Sequence, residues 1–120
     1  MGLRGNIAQV WATWFNQVYK IMQAVNPSIS TDNGDADVTL TAGKHASTQR
    51  FATPLTAART ITLSTTGGYS GARFRVVREA GATGAYNLEV GAIKSLTAAG
   101  QWCEVTYDGS AWILTAAGSL

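Results

Sequence analysis

Chemistry-bearing side chains are scarce in this sequence. It holds one cysteine, one histidine and two prolines, and only 13% of its residues are charged. With Cys103 alone, an intrachain disulfide framework is excluded, and a single thiol suits a reducing compartment. The small share of charge excludes a disordered acidic or basic tail. A net charge of +2 gives no footing for nucleic acid, and no polybasic block marks a membrane surface. Long apolar runs are missing too. Residues 7–25 are interrupted by Gln9, Asn16, Gln17, Lys20 and Gln23, which a transmembrane helix would not carry together. The N-terminus lacks the basic start and unbroken apolar stretch of a signal peptide. "MGLRGN" opens in the manner of a myristoylation signal, but Asn6 stands where Ser or Thr is required. The chain is expected to be soluble and unprocessed.

What is present is core material. At 120 residues and 46% hydrophobic, the chain fits one ordinary domain with enough apolar surface to fold. Charge is unevenly placed. Residues 1–31 hold Arg4 and Lys20 and no acid, whereas Asp32, Asp35 and Asp37 crowd the next few positions.

Two periodicities divide the sequence. From Ile7 to Val25 there is no Gly or Pro, and Ile7, Trp11, Trp14, Val18, Ile21 and Val25 recur in alternating steps of four and three. That is the heptad spacing of an amphipathic helix about 30 Å long. Asn6 is placed to cap it, and "NPS" at 26–28 ends it. Val10, Phe15 and Met22 occupy flanking positions that a two-stranded coil gives to charges, so the stripe is wider than a dimer seam needs. Such a helix needs cover. Its own β-domain, identical helices in a trimer or larger bundle, or a foreign partner each supply it, and the strict register favours a symmetric bundle or docking. A membrane-surface helix is disfavoured, because the polar face carries Gln and Asn in place of Lys and Arg.

Beyond Asp37 the period drops to two. Segments 37–41, 47–53, 59–64, 72–78, 86–90, 92–96, 101–107 and 111–115 each alternate like strands, separated by turn sequences such as "TTGGYSG", "EAGATG" and "DG". The pattern predicts a mainly β protein with one N-terminal α-helix. Residues 1–31 form the amphipathic helix and linker, and 32–120 an antiparallel β-sandwich or jelly-roll-like domain of about eight strands. Parallel α/β folds are excluded, since no second helical segment exists to cross over.

Few residues invite a catalytic reading. Cys103 needs a base, and His45 is the one imidazole, but a mid-strand cysteine between Trp102 and Glu104 reads as packing. Glu104 and Asp108 are not a dyad: "DG" at 108–109 predicts a two-residue hairpin turn, placing Tyr107 opposite Ser110, Val105 opposite Trp112 and Cys103 opposite Leu114. Cys103, Val105, Tyr107, Trp112 and Leu114 then share a core face, and Trp102, Glu104 and Ile113 the other. Trp102 and Ile113 suit subunit contact better than sugar stacking, because only Glu104 supplies polarity beside them. "DNGDAD" at 32–37 looks like part of a calcium loop, yet it leads into a strand and lacks the twelve-residue EF-hand frame, so turn residues are the simpler reading. "TTGGYSG" at 65–71 precedes a strand and cradles no phosphate; it reads as a hairpin loop that presents Tyr69 to a partner. Arg73 and Arg75 share a strand face opposite Phe74 and Val76, placed either for solvent or for carboxylates across an interface. No metal-ligand set and no cofactor motif is visible.

Three stretches, "RFATPLTAARTITLSTTG", "GARFRVVREAGATGAYNLEVG" and "GQWCEVTYDGSAWILTAAG", together resemble a β-rich cassette of tailed-bacteriophage virion proteins. The resemblance covers about half the chain and rests on turns and strands, with no catalytic residue in it. It implies a location in the virion and a non-enzymatic structural role: a capsid decoration protein, a short head or neck fibre, or a tail appendage. It also implies a homo-oligomer, with a trimer favoured, and partners among the major capsid, portal or neck, and tail proteins, with no nucleic acid or membrane. Ile7, Trp11, Trp14, Phe15, Val18, Ile21, Met22 and Val25 would bundle or dock, and Tyr69, Arg73, Arg75, Trp102 and Ile113 would meet a partner or ligand. A sequence ending at Leu120, just past the cassette, departs from long fibres. The alternative is a carbohydrate- or receptor-binding module of a tail fibre, using Trp102, Tyr69 and loop 65–71.

Overall fold

The computed structural model describes residues 28–120; the predicted helix and its stripe lie outside the described residues. Nine strands follow: β1 (Ile29–Asp32), β2 (Val38–Leu40), β3 (Thr48–Phe51), β4 (Arg59–Leu63), β5 (Arg73–Arg78), β6 (Leu88–Val90), β7 (Lys94–Leu96), β8 (Gln101–Tyr107) and β9 (Trp112–Ser119). They form a five-stranded sheet in the order β1-β3-β5-β8-β9 and a four-stranded sheet in the order β2-β4-β6-β7. The described residues are mainly β, as expected.

The pairing differs from the expected antiparallel order. β1, β3 and β5 are parallel neighbours in the larger sheet, and β2, β4 and β6 in the smaller. Antiparallel pairing is confined to β5–β8, β6–β7 and β8–β9. The first six strands alternate between sheets, so each strand of one sheet serves as the crossover between two parallel strands of the other. A parallel pair needs a long connection, and here a facing strand provides it in place of a helix. β1 is also new: the polar stretch read as linker pairs with β3 through Ile29–Thr48 and Asp32–Arg50.

Alternation fills the space between the sheets. Phe51, Phe74, Val76, Cys103 and Val105 point inward from one sheet, and Leu40, Ile61, Leu88, Val90 and Leu96 from the other, all at most 2% exposed. Burying side chains of this size stabilises by roughly 1.5–3 kcal/mol each, before the entropy of ordering them. Trp112 closes one end, its ring 5.4 Å from Phe74 and 5.2 Å from Tyr107. Its indole N–H donates to Ser64 O at 3.1 Å and so ties the last hairpin to the end of β4.

That hairpin corrects a predicted register. Tyr107 pairs with Trp112 and Val105 with Leu114, so the turn spans 108–111 and is longer than two residues. Gly109 alone takes positive φ there, at 102°. The Asp108 carboxylate accepts the N–H groups of Ser110 and Ala111, both at 2.8 Å, which holds the wider loop. A slip of two positions preserves the faces, so Cys103, Val105, Tyr107 and Trp112 remain in the core row. Leu114 does not; it is 42% exposed. β9 lies at the edge of the larger sheet and is largely exposed on both faces after Trp112. Between Glu104–Ala116 and Val105–Leu114 the register shifts, which leaves Thr115 as an unpaired bulge residue.

The acids of "DNGDAD" separate to different partners. Asp32 accepts Ala52 N at 2.8 Å, Gly34 N at 2.9 Å and the Thr53 hydroxyl at 2.6 Å. Asp35 accepts the Thr56 hydroxyl at 2.5 Å and Arg59 Nε at 2.7 Å, and Asp37 accepts Thr60 N at 2.8 Å. Each carboxylate thus reaches from the first chain passage to the next, stitching successive parallel layers together. Among the described residues no group of three or more His, Cys, Asp or Glu converges as a metal site.

Candidate functional site

The outer face of the larger sheet gathers most of the predicted contact residues. Register places Arg73 beside Thr106, Arg75 beside Glu104 and Val77 beside Trp102. Ile113 follows on β9 opposite Thr106, 45% exposed. Arg73, Arg75, Trp102 and Ile113 therefore share one face, as strand alternation required.

Their interactions are largely with one another. The Arg75 guanidinium carbon sits 4.8 Å from the centre of the Trp102 ring, a cation–π contact. Beneath, the ring lies across Gly118 of β9, where an added Cβ would come within 3.0 Å of it. Trp102 thus spans its own sheet, with Arg75 as its cover. Arg73 Nη1 meets Glu104 Oε1 at 3.4 Å, a long and solvent-exposed pair. Further along, Arg50 forms a two-pronged pair with Glu79, at 2.9 and 3.0 Å. Arg50 holds the Glu79 carboxyl below the usual carboxylate range. The result is a surface of three arginines and two carboxylates, with part of the Arg73 fork unpaired and an apolar end at Ile113.

Tyr69 lies elsewhere. The "TTGGYSG" loop joins β4 of one sheet to β5 of the other, and so is not a hairpin. Gly68 lies against the Tyr107 ring, where a Cβ would approach to 2.8 Å, and Gly71 N donates to Tyr107 O at 2.8 Å. This anchoring sets Tyr69, 59% exposed, at the side of a cavity of about 240 Å³ that is also lined by His45, Ser47, Arg73 and Phe74. Arg73 belongs to both the sheet face and the cavity; Trp102 and Ile113 do not line it.

The catalytic candidates are placed apart. Cys103 is fully buried between the sheets, and desolvation pushes its thiol up to about 11. His45 sits in the cavity wall, with its Nδ1 accepting Thr41 N at 2.9 Å. Asp108 serves its loop and Glu104 the sheet face. No nucleophile–base arrangement forms from these groups.

Two residues gain importance that the sequence reading did not give them. In the sequence His45 offers only a base for Cys103, whereas its place between Gly43 and Ser47 in the β2–β3 loop makes it a cavity residue. Arg78 continues the inward row of Phe74 and Val76, fully buried. Its guanidinium donates to Ala82 O, Gly84 O and Tyr86 O of the 79–87 loop and to Leu96 O at the end of β7, all at 2.8–3.0 Å, gathering the loop around one side chain and tying it to the smaller sheet. Comparison of the chain with protein families, curated proteins and solved structures gives no match.

Proposed function

We propose that this protein is a non-enzymatic structural component of a phage particle. In this reading it is a small, trimeric capsid decoration protein or a short head or neck fibre, docking through its N-terminal segment. The observation that carries it is a pairing of surfaces that require cover. Residues 7–25 present a wide, almost uncharged apolar stripe. At the other end of the chain, the edge strand β9 exposes Ile113 and Leu114 and contains no charged residue. Natural edge strands are commonly blunted by charge or proline, and an unblunted one suits assembly. The buried thiol and the acids tied into loops support a role without covalent chemistry. Light scattering on the full chain tests it: a discrete oligomer is expected, and a monomer at every concentration overturns it.

A second reading, a carbohydrate- or receptor-binding module, is favoured by one observation. Tyr69 stands exposed at an open cavity whose floor is apolar and whose rim holds an arginine.

A further inference from the structure

The cavity beside Tyr69 lies where the parallel strands of the larger sheet begin. Its volume, about 240 Å³, is below the ~300–1,000 Å³ that drug-sized ligands occupy, so it suits a single small ring. The floor is apolar, from Phe74 and Ala72, both buried. The exposed phenol of Tyr69 adds a flat face with a polar tip.

Its polar groups are mostly donors. Because His45 Nδ1 accepts the Thr41 N–H, the proton of the neutral ring sits on Nε2, which is left as a donor. The Ser47 hydroxyl spends its hydrogen on Ser28 O at 3.2 Å and keeps lone pairs for a ligand hydroxyl. The Arg73 side chain is 61% exposed, and its pair with Glu104 is made through one nitrogen at 3.4 Å. The rest of its fork stays available for an anion; Glu104 is the carboxylate in contact with it, and no acidic residue stands among the described residues lining the cavity itself.

We infer that this cavity takes a carboxylate-bearing monosaccharide unit, with the C–H face of the ring on Tyr69 and the apolar floor and the carboxylate on Arg73. The inference rests on the sugar-binding reading and narrows it to acidic sugars. It does not depend on the oligomeric state.

Titration of the isotope-labelled full chain with sodium glucuronate, glucose and sodium acetate, followed by amide chemical shifts, tests it. Glucuronate is expected to saturate shifts at His45, Ser47 and Tyr69, and to bind more tightly than either control. Arg73→Ala is expected to weaken glucuronate about tenfold, the loss of one charge-assisted contact. Arg73→Lys should recover part of that, and Tyr69→Ala should weaken glucuronate and glucose alike. Equal binding of glucose overturns the acidic specificity while the sugar reading stands. Equal binding of acetate overturns the ring contact and leaves a simple anion site. No saturable shift with either sugar at roughly 50 mM overturns both readings.

Discussion

Arg78 and Cys103 show how burial changes what a side chain does. A guanidinium taken fully out of water is costly unless its donors are matched. Arg78 matches them with four backbone carbonyls in place of a carboxylate. Three of those carbonyls belong to the 79–87 loop, which has no regular ladder of its own, and the fourth to the last residue of β7, so the arginine acts as the hub that ties loop to strand. Arg78→Met is expected to destabilise the protein by about 3 kcal/mol or more, because each buried acceptor left unmatched costs ~1–3 kcal/mol. Urea denaturation reads this directly. Arg78→Lys should rescue little, since one ammonium cannot reach a fork's worth of acceptors. Period-two alternation already put position 78 in the inward row; charge argued for the surface, and the carbonyls that settle the conflict are not visible in a linear pattern. Cys103 is the opposite case, legible from alternation alone. With the thiol buried and its pKa at about 11, it is expected to resist an aromatic disulfide reagent at pH 8 in the folded protein and to react at once in denaturant. Prompt labelling of the native chain would contradict the core placement.

Strands were readable as strands, but not in their direction. Alternation fixes which residues share a face, and it is the same for parallel and antiparallel neighbours. Hence the core rows around Phe74, Val76, Cys103 and Val105 were legible, while the parallel stacking of β1, β3 and β5 was not. The signal that distinguishes the two lies in the connections, where the carboxylates of "DNGDAD" tie one layer to the next. Asp32 is held below its ordinary pKa by the Thr53 hydroxyl and the Ala52 and Gly34 amides, and Asp35 by Arg59 and Thr56. A carboxylate whose folded pKa lies below its unfolded value stabilises the fold above the unfolded pKa, near 4. That contribution is lost as pH falls through the folded pKa. The urea midpoint is therefore expected to be flat from pH 7 to about 5 and to decline steadily below pH 4. Asp35→Asn should lower the midpoint at neutral pH and flatten the decline, because the amide cannot titrate and pairs poorly with Arg59. An unchanged acid profile in that variant would remove Asp35 from the stitching role.

At the scale of the whole molecule, the proposed assembly has two candidate drivers, one in the sequence of residues 7–25 and one in the fold, and they can be separated. One is the apolar stripe through Trp14; the other is β9, where Ile113 and Leu114 face opposite sides of an edge without charge. An edge strand associates through its backbone, and a charge placed on it opposes continuation of the sheet without disturbing the core. Ile113→Lys replaces a half-exposed side chain and should alter monomer stability by no more than about 0.5 kcal/mol. Trp14→Asp sets a charge in the middle of the heptad seam, which no apolar bundle accommodates. If the stripe drives assembly, light scattering will find Trp14→Asp monomeric with its β-sheet circular dichroism intact, and Ile113→Lys still oligomeric. If the edge drives it, the two outcomes exchange. A third pattern, in which Trp14→Asp unfolds the strands as well, would mean that the N-terminal segment covers its own β-domain. The proposed bundle requires the first pattern, because a trimer closed by three stripes satisfies each stripe by symmetry and leaves the uncharged β9 edges to be covered by the proposed particle partner and not by a sister copy.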